Sequence, residues 1–272
     1  MADTFDMKKI TVSVIGCGAM GGAVIRALCK RIDPQSVKVS AKHFEHAEAI
    51  AAETKCIAFP TNAEAARTSD FVFIAVKPAC VPSVLQEISS ALREDAVVVS
   101  MAAGISLDTL SGACGKPAVR IMPNMPVSVG EGMTAIAASS DVSEECIAAV
   151  CAILEASGRV ERVDEKLMDC VTAVSGSGPA YAFVFIEALS DAAVRCGMPR
   201  KAAYVYAAQT VKGAAAAVLA GGKSPAALKD AVCSPGGTTI EGVAALEKGG
   251  FRSAVFDAVK AACEKSAAMS KR

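Results

Sequence analysis

Gly16-Cys17-Gly18-Ala19-Met20-Gly21 follows directly on the apolar run Ile10 to Ile15 and opens a segment of helical pattern. A G-x-G-x-x-G between strand and helix cradles a pyrophosphate. Gly16 allows the tight turn, Gly18 lets the backbone come close to the phosphates, and Gly21 lets helix and strand pack. The amides and dipole of the helix start supply the attraction, so all six residues, Gly16 to Gly21, are expected cofactor contacts. The second strand ends in Val39-Ser40-Ala41-Lys42, with no carboxylate before Glu45 to hold a ribose hydroxyl. The hydroxyl of Ser40 and the ammonium of Lys42 suit a 2′-phosphate instead. NADPH is therefore the expected dinucleotide and NADH the lesser alternative. Two further turns, Ala75-Val76-Lys77-Pro78 and Met101-Ala102-Ala103-Gly104, follow strand-like runs at the end of the sheet where such ligands sit. Ala75, Val76, Lys77, Pro78, Ala102 and Ala103 should edge the nicotinamide.

A second place for chemistry is Ser234-Pro235-Gly236-Gly237-Thr238-Thr239, between two segments of helical length. Its glycine pair exposes amides at the start of the second helix, which suits a carboxylate. A plain helix connection capped by Thr238 or Thr239 accounts for the same residues. Other chemistries are thinly supplied. The two histidines are neighbours, His43 and His46, and the eleven cysteines form no C-x-x-C pair. An odd cysteine number without that spacing fits neither a disulfide framework nor a zinc site, so no metal is expected. The cysteines read as reduced, mostly core residues of a cytoplasmic protein.

The elements that must position these residues follow from hydrophobic periodicity. Ile10 to Ile15, Val37 to Ser40, Phe71 to Val76, Ala96 to Ser100 and Ala118 to Met122 read as strands. Ala19 to Lys30, His46 to Thr54 and Val81 to Leu92 read as helices between them. Such alternation predicts an α/β fold with a parallel sheet covered on both faces. Met133 to Ala137 and Val160 to Val163 read as later strands flanking a helix that Ser143 caps. Beyond Val163 the strand signals stop, and helix-length segments are punctuated by Gly178-Pro179, Gly197-Met198-Pro199, Ser224-Pro225 and Gly249-Gly250. Each proline suits a first helical turn and each glycine a helix end. The division expected is residues 1–163, an NADP-binding Rossmann domain, and 164–272, an all-helical domain. The segment Ala202 to Ala220 is nearly all alanine, too small-sided for a thick core of its own. Helices interleaved with those of a second subunit are expected.

Composition closes several routes. The 28 basic and 28 acidic residues cancel, which leaves no basic footprint for nucleic acid. The longest uncharged stretch, Cys170 to Ile186, is shorter than the roughly 20 residues a membrane span needs, so no membrane association is expected. The start, Met1 to Lys9, has no apolar core of a secretory leader.

Three segments carry a family resemblance: Val119-Arg120-Ile121-Met122-Pro123-Asn124-Met125-Pro126, Ser175-Gly176-Ser177-Gly178-Pro179-Ala180-Tyr181 and Ser234-Pro235-Gly236-Gly237-Thr238-Thr239. Together they resemble the signatures of pyrroline-5-carboxylate reductase, from Ile10 almost to the carboxyl end. Met125 departs from the family pattern, which has a small threonine there. The resemblance implies NAD(P)H-dependent reduction of 1-pyrroline-5-carboxylate to L-proline, the last step of proline biosynthesis. It implies a Rossmann domain followed by a helical dimerisation domain, with dimers assembling into larger rings. It also implies that Asn62 lies near the adenosine end of NADPH, and that Glu165, Ser234, Gly236, Gly237, Thr238 and Thr239 line the substrate pocket. The hydroxyl of Thr239 is then expected to be the catalytic hydrogen-bond partner of the imine nitrogen. A β-hydroxyacid dehydrogenase shares the two-domain plan but resembles its relatives in a catalytic lysine on the helix after a glycine-rich turn. Here no lysine occurs between Lys166 and Lys201. A dinucleotide-sensing scaffold without turnover is the non-enzymatic alternative, and the intact Ser234 to Thr239 segment speaks against it.

Overall fold

The computed structural model describes residues 10–269. The amino-terminal nine residues, on which the leader expectation rests, lie outside them. Eight strands form one sheet: β1 (Val12–Ile15), β2 (Val37–Ser40), β3 (Ile57–Ala58), β4 (Phe71–Ile74), β5 (Val97–Ser100), β6 (Ala118–Met122), β7 (Gly132–Ala138) and β8 (Gly158–Arg162). Their order across the sheet is β3-β2-β1-β4-β5-β6-β7-β8. The first six are parallel to one another. The parallel sheet expected is present, and at its far edge β7 runs antiparallel to β6, with β8 parallel to β7. The reason is the link Pro123–Glu131, which holds only a short 3₁₀ turn. A parallel return needs a crossover of a dozen or more residues.

Seven helices accompany the sheet: α1 (Ala19–Arg31), α2 (Phe44–Thr54), α3 (Asn62–Ala66), α4 (Val81–Ile88), α5 (Leu107–Cys114), α6 (Glu144–Leu154) and α7 (Met168–Val171). Strand alternation feeds two cores. Phe71 and Phe73 join Ile25, Leu28 and Val150 on one face, while Val72 and Ile74 join Leu85, Ile88 and Leu110 on the other. Each fully buried side chain of this size contributes about 1.5–3 kcal/mol. Ser143 caps α6 as expected, its hydroxyl accepting from the Cys146 amide at 3.2 Å. The helix predicted over Val81 to Leu92 ends at Ile88 and tightens into a 3₁₀ turn, Ser89–Ala91.

After Val163 every element is helical. α7 passes into a π-helical turn, Thr172–Gly176, where the Ser177 amide donates to the Thr172 carbonyl at 2.9 Å. Then come α8 (Gly178–Arg195), α9 (Arg200–Leu219), α10 (Pro225–Val232), α11 (Thr238–Lys248) and α12 (Phe251–Met269). The described residues divide into two compact units, one running to Ser177 and taking in α12 from Ala262, the other Gly178–Ala261. The proline expectation holds in part. Pro179 and Pro225 lie in first turns, Pro199 stands one place earlier as the N-cap of α9, and Pro235 occupies a turn between helices. In the second unit the Ser190 hydroxyl of α8 donates to the Ile186 carbonyl at 2.7 Å, and Ala203 and Ala207 of α9 are buried.

The cysteine expectation needs a correction of degree. Only Cys56 and Cys114 are fully buried, and Cys80, Cys170 and Cys196 are exposed. All eleven are free thiols.

Candidate active site

The chain leaves β1 toward β2 on one side and later returns to β4 on the other. That reversal opens a crevice at the carboxyl ends of β1 and β4. The glycine turn stands in it. Gly16 has φ +109°, and a Cβ there would lie 2.5 Å from the Ala75 carbonyl oxygen. A Cβ on Gly21 would lie 2.0 Å from the Gly16 carbonyl oxygen, so α1 packs onto its own turn only with glycine there. Gly18 differs, since a Cβ at that position would meet nothing within 4 Å. The protein itself therefore has no packing need for glycine at position 18, and the open space before it is available to a ligand. Gly18 is the N-cap of α1 and no side chain caps that helix. Ala19 is exposed and Met20 half-buried beside it, and no acidic residue stands in the first turn. The arrangement suits a diphosphate. Cys17 contributes backbone rather than a reactive thiol. Its side chain donates to the Ser40 carbonyl at 3.6 Å, and burial pushes its pKa up to about 11.

A cleft of about 930 Å³ runs from this turn, lined among others by Gly16, Ala41, Lys42, Asn62, Val76 and Lys77. It brings together Gly16, Lys42, Asn62, Val76 and Lys77 of the expected cofactor residues, whereas Ala75, Pro78, Ala102, Ala103 and the rest of the glycine turn are not in its lining. Ser40 does not line it either. It is wholly buried, and its hydroxyl donates to Asn62 Oδ1 at 2.9 Å. The expectation that this hydroxyl meets a 2′-phosphate is corrected, because it already has its partner and stands behind the cleft wall. The Asn62 amide in turn donates to Glu87 Oε2 at 2.9 Å, so Ser40 orients Asn62. Pro78 opens the 3₁₀ turn Pro78–Cys80 after the half-buried Ala75. Ala102 is buried and Ala103 half-buried after β5, where the Ala102 amide donates to the Ser100 hydroxyl at 3.3 Å.

Glu165 is also placed differently from the expectation. Its Oε1 accepts from Arg120 Nη1 at 2.6 Å and from the Leu107 amide at 2.8 Å. The Arg120 side chain is 9% exposed and the Glu165 side chain 33%. The carboxylate thus joins the first amide of α5 to a buried guanidinium of β6. It clamps the framework at this corner.

In the second unit Ser234–Gly237 is a tight turn closed by the Gly237 amide on the Ser234 carbonyl at 3.0 Å. Pro235 fixes its second corner and Gly236, at φ +66°, its third. Gly237 is the N-cap of α11, with a Cβ position only 2.3 Å from Ser234 Oγ. The suggestion that Thr238 or Thr239 caps the helix is corrected, since both lie inside it, Thr238 exposed and Thr239 half-buried. No side chain caps α11, so its first amides stand ready for an anion.

Residues 165–269 match a family model described as pyrroline-5-carboxylate reductase dimerisation. Residues 11–104 match one described as NADP oxidoreductase coenzyme F420-dependent. A protein of Escherichia coli (strain K12) named pyrroline-5-carboxylate reductase is 44% identical over 264 residues, 96% of this chain and 98% of that one. The chain belongs to the pyrroline-5-carboxylate reductase family. Two solved structures of the family agree along the whole fold. The Plasmodium falciparum pyrroline carboxylate reductase, a crystal structure with NADP bound, gives a TM-score of 0.88 at 33% identity, covering 97% of this chain and 99% of that one. The Coxiella burnetii enzyme gives 0.91 at 31% identity, covering 97% and 100%.

Within this family member some residues at the site escaped sequence reasoning. His43, His46 and Glu87 line the cleft, and only the nearness of the histidines to Lys42 could have signalled them. Asn124 is buried, donates to the Ser175 carbonyl at 3.2 Å and accepts from the Met133 amide at 2.9 Å. It ties the Met-Pro-Asn-Met-Pro segment to the π-helical turn, which gives two of the signature segments a shared structural task.

Proposed function

We infer that the protein is an NAD(P)H-dependent imine reductase that converts 1-pyrroline-5-carboxylate to L-proline in the cytoplasm, as the last step of proline biosynthesis. The observation that carries this is the Ser234–Gly237 turn, which leads into an uncapped helix start at Thr238 and Thr239 in a chain that matches the family over 96% of its residues. Residues 1–163 form the cofactor-binding domain and 164–272 the dimerisation and substrate domain. The glycine turn and the cleft fit a dinucleotide, because Gly18 leaves space at the α1 amides and the cleft has room beyond them. Gly16 to Gly21 hold the diphosphate. Asn62 meets the adenosine end, Lys42 the 2′-phosphate, and Ala75 to Pro78 with Ala102 and Ala103 edge the nicotinamide. NADPH is preferred over NADH because the cleft offers an ammonium and no carboxylate at the end of β2.

The reduced nicotinamide supplies the hydride that the imine carbon receives. The protein's own task is to hold and polarise the imine. The amides at the start of α11 and the Ser234–Gly237 turn bind the substrate carboxylate. The Thr239 hydroxyl hydrogen-bonds the imine nitrogen. A threonine hydroxyl is too weak an acid to give up its proton readily, so the nitrogen is protonated from solvent and Thr239 orients it. Ser40 and Glu165 act at a distance, one by aiming Asn62 and the other by anchoring α5. The exposed apolar side chains of α8 to α12 pair with a second copy, and such dimers build larger rings.

NADPH oxidation with pyrroline-5-carboxylate, run beside a 3-hydroxy acid with NADP, tests the reading. Turnover with the imine alone is expected. Turnover with the hydroxy acid alone would assign the chain to the dehydrogenase chemistry instead.

A further inference from the structure

Ser40 is sealed against Asn62, which leaves the end of β2 with a different set of phosphate-binding candidates from those the sequence suggested. Residues 42–46 are all exposed there, and of them Lys42, His43 and His46 line the same cleft as Gly16 and Asn62. The His43 and His46 rings lie 5.8 Å apart between centroids, and His43 Nδ1 is 3.7 Å from Glu45 Oε1. We propose that His43, with His46 beside it, makes the cleft's preference for a 2′-phosphorylated dinucleotide depend on pH. The inference rests on the cofactor reading above and names the residues that discriminate within it.

The argument is one of charge. A phosphate monoester only accepts hydrogen bonds, and a neutral imidazole has one donor where a protonated one has two and a positive charge. Imidazoles as a class change charge between about pH 5 and pH 8. The other charged groups lining or adjoining the cleft are Lys77, Glu45 and Glu87, and Glu87 is held by the Asn62 amide. Lys42 adds its own attraction for the phosphate, while Lys77 stands at the nicotinamide end. The variable part of the attraction is then the histidine pair, strong on the acid side and fading as pH rises. NADH, which has no 2′-phosphate, does not feel it.

The phosphate titrates as well, near pH 6, which opposes the histidines on the acid side. Comparing variants cancels that contribution. Dissociation constants for NADPH and NADH are measured by nicotinamide fluorescence on wild type, His43→Gln, His46→Gln and Lys42→Met between about pH 6 and about pH 8. The NADPH-to-NADH preference of wild type, divided by that of His43→Gln, should be on the order of tenfold near pH 6 and approach one near pH 8. His46→Gln should show the same trend with smaller amplitude. Lys42→Met should weaken the preference at every pH and keep the wild-type slope. If the His43→Gln preference follows wild type across the range, the inference is overturned while the cofactor reading stands. If wild type binds neither nucleotide, both fall.

Discussion

In the first unit Phe71, Phe73, Ile25, Leu85 and Ile136 are wholly buried, and two cores sandwich the sheet. Among the described residues of Gly178–Ala261 only Ser190, Ala203 and Ala207 are buried, while Phe256 is 77% and Val184 66% exposed. Both units are built from comparably apolar sequence, so the difference lies in where the partner surface comes from. The first unit finds it in its own layers. The second carries side chains whose burial requires another chain, which agrees with its match to a dimerisation model. The comparison teaches that the two halves should fail in different ways.

The largest effect is expected from joint Val184→Glu and Phe256→Glu. Two carboxylates on the apolar helices should reduce the mass seen by light scattering to a single chain and remove activity, with NADPH still bound by the first unit. A dimer that survives would break the comparison. Next is Thr239→Val, which keeps the shape of the side chain and removes its hydroxyl. A kcat lower by roughly 10- to 1,000-fold is expected, by analogy with loss of one oxyanion donor, at an unchanged Kd for NADPH. Full kcat at saturating substrate would reduce Thr239 to a packing residue.

Gly21→Ala sharpens the comparison from the other side. Its Cβ falls 2.0 Å from the Gly16 carbonyl oxygen, and overpacking of that kind costs about 1–3 kcal/mol. Calorimetry should show a lower Tm and titration a weaker NADPH complex, with the oligomer intact. The smallest effect on turnover is expected from Glu165→Gln. Loss of the anion from the buried Arg120 guanidinium should cost about 1–3 kcal/mol of stability. Since the carboxylate clamps α5 to β6, kcat should stay within about twofold of wild type, as for a change away from the reacting atoms. A collapse of kcat at unchanged Tm would return Glu165 to the substrate.

Much of this plan was legible in the sequence because it rests on local rules. β2, β6 and the capped start of α6 follow from β-branched runs and a serine followed by glutamates. The Gly16–Gly21 turn follows from steric needs that only glycine meets at its two ends, Gly16 and Gly21. What escaped depends on distant partners. The two-residue strand β3 exists because Ile57 and Ala58 pair with Lys38 and Val39, and nothing local announces it. The reversal of β7 is set by a link too short for a crossover. The corrections at Ser40 and Glu165 have one cause: type and position suggested a ligand, while Asn62 and Arg120, distant in sequence, had already taken the polar atoms. His43 carries no local signal of its place, because a histidine beside a lysine suits a solvated surface as well as a cleft wall.

The central claim is that a bound reduced nicotinamide gives its hydride to the imine carbon of 1-pyrroline-5-carboxylate. Turnover of 1-pyrroline-5-carboxylate with NADPH deuterated at both positions of the reacting ring carbon tests it most directly, with the proline product read by mass spectrometry and NMR. One deuterium per proline, on the ring carbon that was the imine carbon, is the predicted result. Unlabelled proline, or oxidation of NADPH with no proline formed, would contradict it.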